Sequence, residues 1–230
     1  MPATKQLYDL ELLDTGIERE EKTFAENTAK IGDRKLLDAA TLQLDALKQD
    51  LAGLKTQHRL AEAEVDDLLS KISTDETKLY SGKVTSPKEL TSLQQEIAME
   101  KARSDELENK ALAIIEQVES AEKKVNRGLA SFEKIETDWH TEQQRLKAEN
   151  EQLTGSLAQL KQQRAELAGQ LDSETLQLYE HIRRQKKPAV SRVEQGICQS
   201  CHVAPSGSAM QRARSGQPVQ CSCGRILYVG

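Results

Sequence analysis

Aromatic side chains make up only 3% of the 230 residues, and that scarcity excludes most catalytic architectures. A two-layer domain draws bulky apolar groups from several elements into one core; here they are spread thinly along the chain. Charged residues reach 30%, and Ala, Glu, Lys, Leu and Gln dominate residues 1–187, the composition of long helices and coiled coils. No apolar run approaches the roughly 20 residues that cross a bilayer. Met1-Pro2-Ala3-Thr4-Lys5 leads into an amphipathic pattern rather than a secretory signal. A glycine-rich phosphate loop and a Ser or Cys nucleophile motif are missing too. The expectation is a cytoplasmic protein that is not an enzyme, spans no membrane and takes no small-molecule substrate.

What the chain has in quantity is a seven-residue period. Leu37, Leu44, Leu51, His58, Val65, Ile72 and Leu79 keep it, with Ala40, Leu47, Leu54, Ala61 and Leu68 between them. These are the a and d positions of a coiled-coil seam. His58 is read as a seam residue facing solvent or a partner, not as a metal ligand. A second register runs Leu90, Ile97, Ser104, Ala111, Val118, Val125, Phe132, Trp139, Leu146, Leu153, Leu160 and Leu167. Phe132 and Trp139 lie in it, which makes them packing residues rather than platforms for stacked bases.

Between the registers, Gly82 suits the left-handed conformation that ends a helix. Ser86 is an N-cap, Pro87 fits the first helical position, and Glu89 completes a Ser-x-x-Glu capping box. A stop followed this closely by a start folds the helices back on each other. Residues 81–86 become the tip, and Tyr80, Lys83 and Lys88 are the side chains it offers a protein partner. Arms 3–80 and 87–171 nearly match in length, so residues 1–171 read as one antiparallel coiled-coil hairpin. Asp172 and Ser173 begin a short connecting helix, 172–187, which Pro188 ends.

If Tyr80 faces Pro87, Gly32 lies level with residue 135. Helix one shifts its apolar phase at Gly32, between Ile31 and Leu37. After Ile135 the companion positions of helix two turn polar at Glu142, Glu149 and Ser156, as those of helix one do at Glu20 and Asn27. The base of the hairpin is therefore expected to be looser than its distal part, or bent.

Charge is divided unevenly. From Ile182 onward stand Arg183, Arg184, Lys186, Lys187, Arg192, Arg212, Arg214 and Arg225 against the single acid Glu194, a net +7 in a chain of net −5. Such a tail calls for an acidic partner, either nucleic acid or a protein surface.

Cysteine is absent from the first 197 positions, and then four appear. Cys198-x-x-Cys201 and Cys221-x-Cys223 are separated by 19 residues, close to the spacing of a four-thiolate zinc ribbon. Residues 188–230 have few apolar groups and need a staple, which one structural Zn²⁺ supplies. Short strands are expected at Ala189–Glu194 and Arg225–Val229. The competing readings are a disulfide or redox pair, and free thiols. The second pair is one residue short of the usual knuckle, and His202 beside Cys201 is an alternative ligand.

Leu79-Tyr80-Ser81-Gly82-Lys83-Val84-Thr85-Ser86-Pro87-Lys88-Glu89-Leu90 resembles the tip motif of the bacterial coiled-coil hairpin plus C4-type zinc-ribbon family, and Leu178-Tyr179-Glu180, Gly196-Ile197-Cys198, Cys201-His202-Val203 and Cys223-Gly224-Arg225-Ile226-Leu227-Tyr228 resemble its C-terminal motifs. The family pattern ends in Cys-x-x-Cys-Gly-Arg-Ile-Leu-Tyr, from which Cys221-Ser222-Cys223 departs. The resemblance implies a mainly α protein, a long antiparallel coiled-coil hairpin with a small C-terminal zinc-ribbon β module. It also implies an adaptor, in flagellar or secretion-related regulation, that binds an alternative sigma factor and in some members messenger RNA.

Two functions follow. In the first, the eight cations of the tail contact RNA or DNA phosphates while the coiled coil holds a protein partner. With only Tyr179 and Tyr228 near those cations, such binding is electrostatic rather than sequence-specific. In the second, the chain is purely a protein-binding adaptor or chaperone for a transcription factor or a secretion or flagellar component, and zinc only shapes its end.

Overall fold

The seven-residue period becomes helix almost throughout the computed structural model, which describes residues 2–230. Helix α1 spans Ala3–Lys30, α2 Lys35–Tyr80, α3 Pro87–Ala168 and α4 Ser173–Gln185. Strands β1 (Val190–Glu194) and β2 (Ile197–Cys198) follow, then helix α5 (Gly207–Arg214) and strand β3 (Ile226–Val229). Two units are distinguished: a middle unit, Arg34–Thr141, and a terminal unit made of the segments up to Asp33 and from Glu142 onward. Among the described residues no helix is long and apolar enough to cross a membrane.

In the middle unit α2 and the first part of α3 pair antiparallel. Leu37, Leu44 and Ile72 of α2 and Ile97, Ala121 and Val125 of α3 are buried, with Leu51, His58, Val65 and Leu79 half-buried at the same seven-residue spacing. Trp139 is half-buried, and the Arg34 guanidinium lies 5.7 Å from its ring centroid. At the tip α2 stops at Tyr80, Gly82 takes φ 71°, and α3 starts at Pro87, as the capping residues require. The facing register differs from a count outward from the tip. Lys55 meets Glu122 at 2.7 Å, where that count places Leu112. The extended tip segment takes up length that counting residues ignores.

In the terminal unit α1 faces the later part of α3. The arm expected as one helix over 3–80 is two helices, interrupted at residues 31–34, where Gly32 takes φ 82°. The side chain of Gln143 spans this break. It accepts the Gly32 N–H at 2.7 Å and donates to the Lys30 carbonyl at 3.3 Å. Gly32 is thus level with Gln143 rather than with residue 135. The polar seam is bonded across, not merely loose: Asn150 donates to Thr28 Oγ1 at 3.0 Å and Ser156 to Glu20 at 3.0 Å. Helix α3 stays continuous to Ala168, three residues short of the expected 171. Asp172 then caps α4 by accepting the Thr175 N–H at 2.8 Å.

The sheet has the order β2-β1-β3, with β1–β2 antiparallel and β1–β3 parallel. Gln195 (φ 50°) and Gly196 (φ 79°) form a two-residue turn with both positions left-handed, the geometry that matches strand twist in a hairpin. One core joins Leu7 and Leu10 of α1, Tyr179 and Ile182 of α4, Val190 of β1 and Ile226 of β3. Tyr8 stacks on Tyr228 beside it, ring centroids 4.6 Å apart. A second core lies around the cysteines, where Val193, Ala209, Ala213, Val219 and Leu227 pack on Cys198 and Cys221. Helix α5, absent from the sequence expectations, is N-capped by Ser206, whose hydroxyl accepts the Ala209 N–H at 3.3 Å.

Candidate metal centre

Two backbone turns bring the cysteines together. In the first, His202 N–H bonds to the Cys198 carbonyl at 2.8 Å and Cys198 N–H to the Val203 carbonyl at 3.1 Å, with His202 at φ 58°. In the second, Gly224 N–H bonds to the Cys221 carbonyl and Cys221 N–H to the Arg225 carbonyl, both at 2.8 Å. The sulfurs of Cys198, Cys201, Cys221 and Cys223 all lie within 4.8 Å of one another. Cys201 and Cys221 are 3.7 Å apart, against an edge of about 3.8 Å for a tetrahedron with metal–sulfur bonds of about 2.3 Å. Cys221, the ligand the short turn placed in doubt, is in the cluster. His202 is exposed and stands outside it.

The donor set fits a metal cation. Burial opposes a thiolate at Cys198, but the Ser191 hydroxyl and the backbone N–H groups of Ser200 and Cys201 outweigh it and bring its pKa down to about 6. At Cys201 the Val203 N–H pulls downward, and burial with the three neighbouring sulfurs overrides it, pushing the thiol up to about 12. Four sulfurs this close cannot all carry charge with nothing between them, and a divalent cation removes that conflict.

The basic tail is largely matched within its own unit. Arg183, expected to meet phosphate or an acidic partner, is only 9% exposed. It pairs with Glu11, with Glu18 at 2.9 Å and with Asp14 at 3.6 Å. A guanidinium so enclosed has no face left for an outside ligand, and its place in the proposed interface is corrected accordingly. Lys187 pairs with Glu18 at 2.7 Å, Arg184 with Glu180 at 4.0 Å and Arg192 with Glu194 at 3.3 Å. Lys187 holds the Glu18 carboxyl below its ordinary range, against a smaller opposing effect of burial. Lys186 donates to the Cys223 carbonyl and Arg225 to the Pro188 carbonyl. Arg212 and Arg214 alone of the eight are exposed with neither an ion pair nor a side-chain hydrogen bond among the described residues.

In the middle unit Tyr80 is 82% exposed, with Lys83 and Lys88 exposed nearby. Among the described residues Tyr80 is the one exposed aromatic side chain. The carboxylates of Asp75, Glu96 and Glu100 also gather in this unit. Lys71 and Lys78 already pair with them, so the group reads as an ion-pair network.

The family model described as "CT398-like coiled coil hairpin domain" matches residues 9–187. The chain belongs to this family. The match ends before Cys198, so the cysteine module stands on its own geometry. The solved structure of CT398 from Chlamydia trachomatis is similar with a TM-score of 0.71 at 21% identity, over 99% of this chain and 98% of that one. A protein from Mycobacterium smegmatis gives 0.61 at 22% identity, over the full length of both. These are likenesses of fold. No curated protein matches the sequence significantly.

Three residues of this region escaped the sequence reading: Glu11, Asp14 and Glu18. Their spacing of three and four places them on one helix face, an acidic stripe with no apparent purpose until Arg183 of α4 and Lys187 just beyond it are set against it. Ser191 was also missed. Its hydroxyl lies 3.2 Å from Cys198 Sγ and accepts the Ser200 N–H at 3.1 Å, and nothing local in the sequence marks it.

Proposed function

We propose that the chain is a zinc-stapled adaptor, not an enzyme, that engages a protein partner through its coiled-coil arm. Four converging thiolates are soft ligands that select zinc over calcium or magnesium, and a closed set of four leaves no position open for substrate. The zinc is therefore structural, one ion per chain, and a cytosol that keeps thiols reduced suits it. The observation that carries the adaptor reading is Tyr80, the exposed aromatic at the tip, flanked by Lys83 and Lys88. Aromatic anchors in such settings supply most of the energy at protein interfaces. An alternative sigma factor or a secretion or flagellar component is the partner class the family resemblance implies.

Affinity purification from the native cell tests this reading, with wild type and Tyr80→Ala compared in the presence of nuclease. A nuclease-resistant partner held by the wild type and lost from the variant supports it. Equal recovery from both chains removes the tip from the account.

A second reading, contact with an RNA or DNA backbone, is favoured by Arg212 and Arg214 on α5. Of the eight tail cations only those two have neither an ion pair nor a side-chain hydrogen bond among the described residues, so such binding would be weak and steeply salt-dependent. A gel shift at low salt that is abolished by Arg212→Glu/Arg214→Glu supports it, and no shift at any salt removes it.

A further inference from the structure

The short second cysteine turn is held from outside itself. Parallel pairing of β1 with β3 begins at Val190 and Ile226. Just ahead of it, the Ile226 N–H bonds to the Ala189 carbonyl at 2.8 Å. Beyond that point Pro188 has no N–H to offer, and two side chains continue the pairing where backbone cannot. Arg225 Nε donates to the Pro188 carbonyl at 2.9 Å, and Lys186 Nζ donates to the Cys223 carbonyl at 2.6 Å. The segment leading into each strand thus sends one cation to a carbonyl of the other segment. Gly224, at φ 84°, makes room: a Cβ there would sit 2.7 Å from Lys186 Nζ.

We propose that Lys186 and Arg225 are positioning residues for the metal, a reciprocal strap that holds Cys221 and Cys223 in binding geometry. A turn with one residue between its cysteines has fewer backbone groups of its own to fix both sulfurs than a turn with two. The strap fixes the carbonyl of Cys223 and the backbone following it against residues 186–188. Its two positive charges also offset the net −2 of four thiolates around a divalent ion, in the way outer groups orient and tune metal ligands. Both side chains were expected to face phosphates; here they face the knuckle.

The inference rests on the four cysteines being a metal site, and its test separates the two claims. The full chain is loaded with Co²⁺, its thiolate-to-metal absorption is recorded, and release to excess chelator is timed. Lys186→Met and Arg225→Met are expected to speed release about tenfold or more and to shift the Co²⁺ bands. Lys186→Arg and Arg225→Lys restore most of the lost retention. Arg184→Met and Lys187→Met remove the same charge nearby without touching the knuckle, and leave release unchanged. Helical circular dichroism confirms that each variant is folded. A chain that binds no Co²⁺ overturns the metal site itself. Tight binding with release rates equal for Lys186→Met, Arg225→Met and Arg184→Met overturns the strap alone.

Discussion

Glu11 and Arg183 meet in the interior of the terminal unit, 4% and 9% exposed respectively. The other oxygen of the Glu11 carboxylate accepts the N–H groups of Ala189 at 2.8 Å and Val190 at 3.2 Å. One acid therefore joins α1, the end of α4 and the start of β1. A buried pair adds little over a well-packed apolar pair, but leaving one charge without its partner is expensive.

Arg183→Met is accordingly expected to destabilise the terminal unit by about 3–5 kcal/mol. Glu11→Gln/Arg183→Met, which leaves no lone charge and keeps an amide oxygen for the Ala189 and Val190 N–H groups, recovers a large part of the loss. Hydrogen exchange at the Ala189 and Val190 amides measures both. A single variant no worse than the double would show that the pair is not a unit.

Tyr179 makes alkaline pH a second probe. Burial is the main cause that raises its phenol well above the ordinary range, followed by its bond to Asp14 and the charge of Glu11. A group whose pKa is raised on folding contributes stability that is full below its unfolded pKa, about 10 for tyrosine, and is lost as pH rises beyond it. Denaturant midpoints of the terminal unit should fall above about pH 10. Tyr179→Phe removes that slope while losing the bond to Asp14. An unchanged slope in Tyr179→Phe contradicts the assignment.

Gln143 bridges residues 30–32 after α1, and Gln143→Ala leaves the Gly32 N–H without its acceptor, while the Lys30 carbonyl keeps the Asp33 N–H at 3.2 Å. The expected cost is about 1–3 kcal/mol, seen as faster exchange at the Gly32 amide. Exchange unaltered there would show that solvent serves as well as the side chain.

How much of this was legible depended on how locally each feature is determined. The seam stripe, the tip at Gly82 and Pro87, the cap at Asp172 and the convergence of four cysteines are all written in short spacings, and the structure carries each. The interruption at Gly32 was visible as a phase shift, yet its partner level was not. Register depends on the path of the tip segment, which no periodicity encodes. The fate of the basic tail was hidden for a related reason. Arg183 looks like any exposed helical arginine until α1, more than 160 residues earlier in the chain, brings Glu11 to it. Helix α5 was missed because eight residues with two buried alanines make too short a pattern to stand out.

Removing the metal should act on one unit. Chelator treatment is expected to unprotect amides in residues 188–230 and to leave most of the helical circular dichroism in place, because the middle unit holds no part of the cysteine cluster. Loss of the helical signal in parallel with metal would show that the fold depends on the ion more widely.

The most direct test is metal analysis of the chain purified from its native cell under reducing, chelator-free conditions, with thiol reactivity counted alongside. The account predicts one zinc per chain and four thiols that react only after the metal is withdrawn. Chains with no stoichiometric metal, or with Cys201 and Cys221 joined in a disulfide, would contradict it.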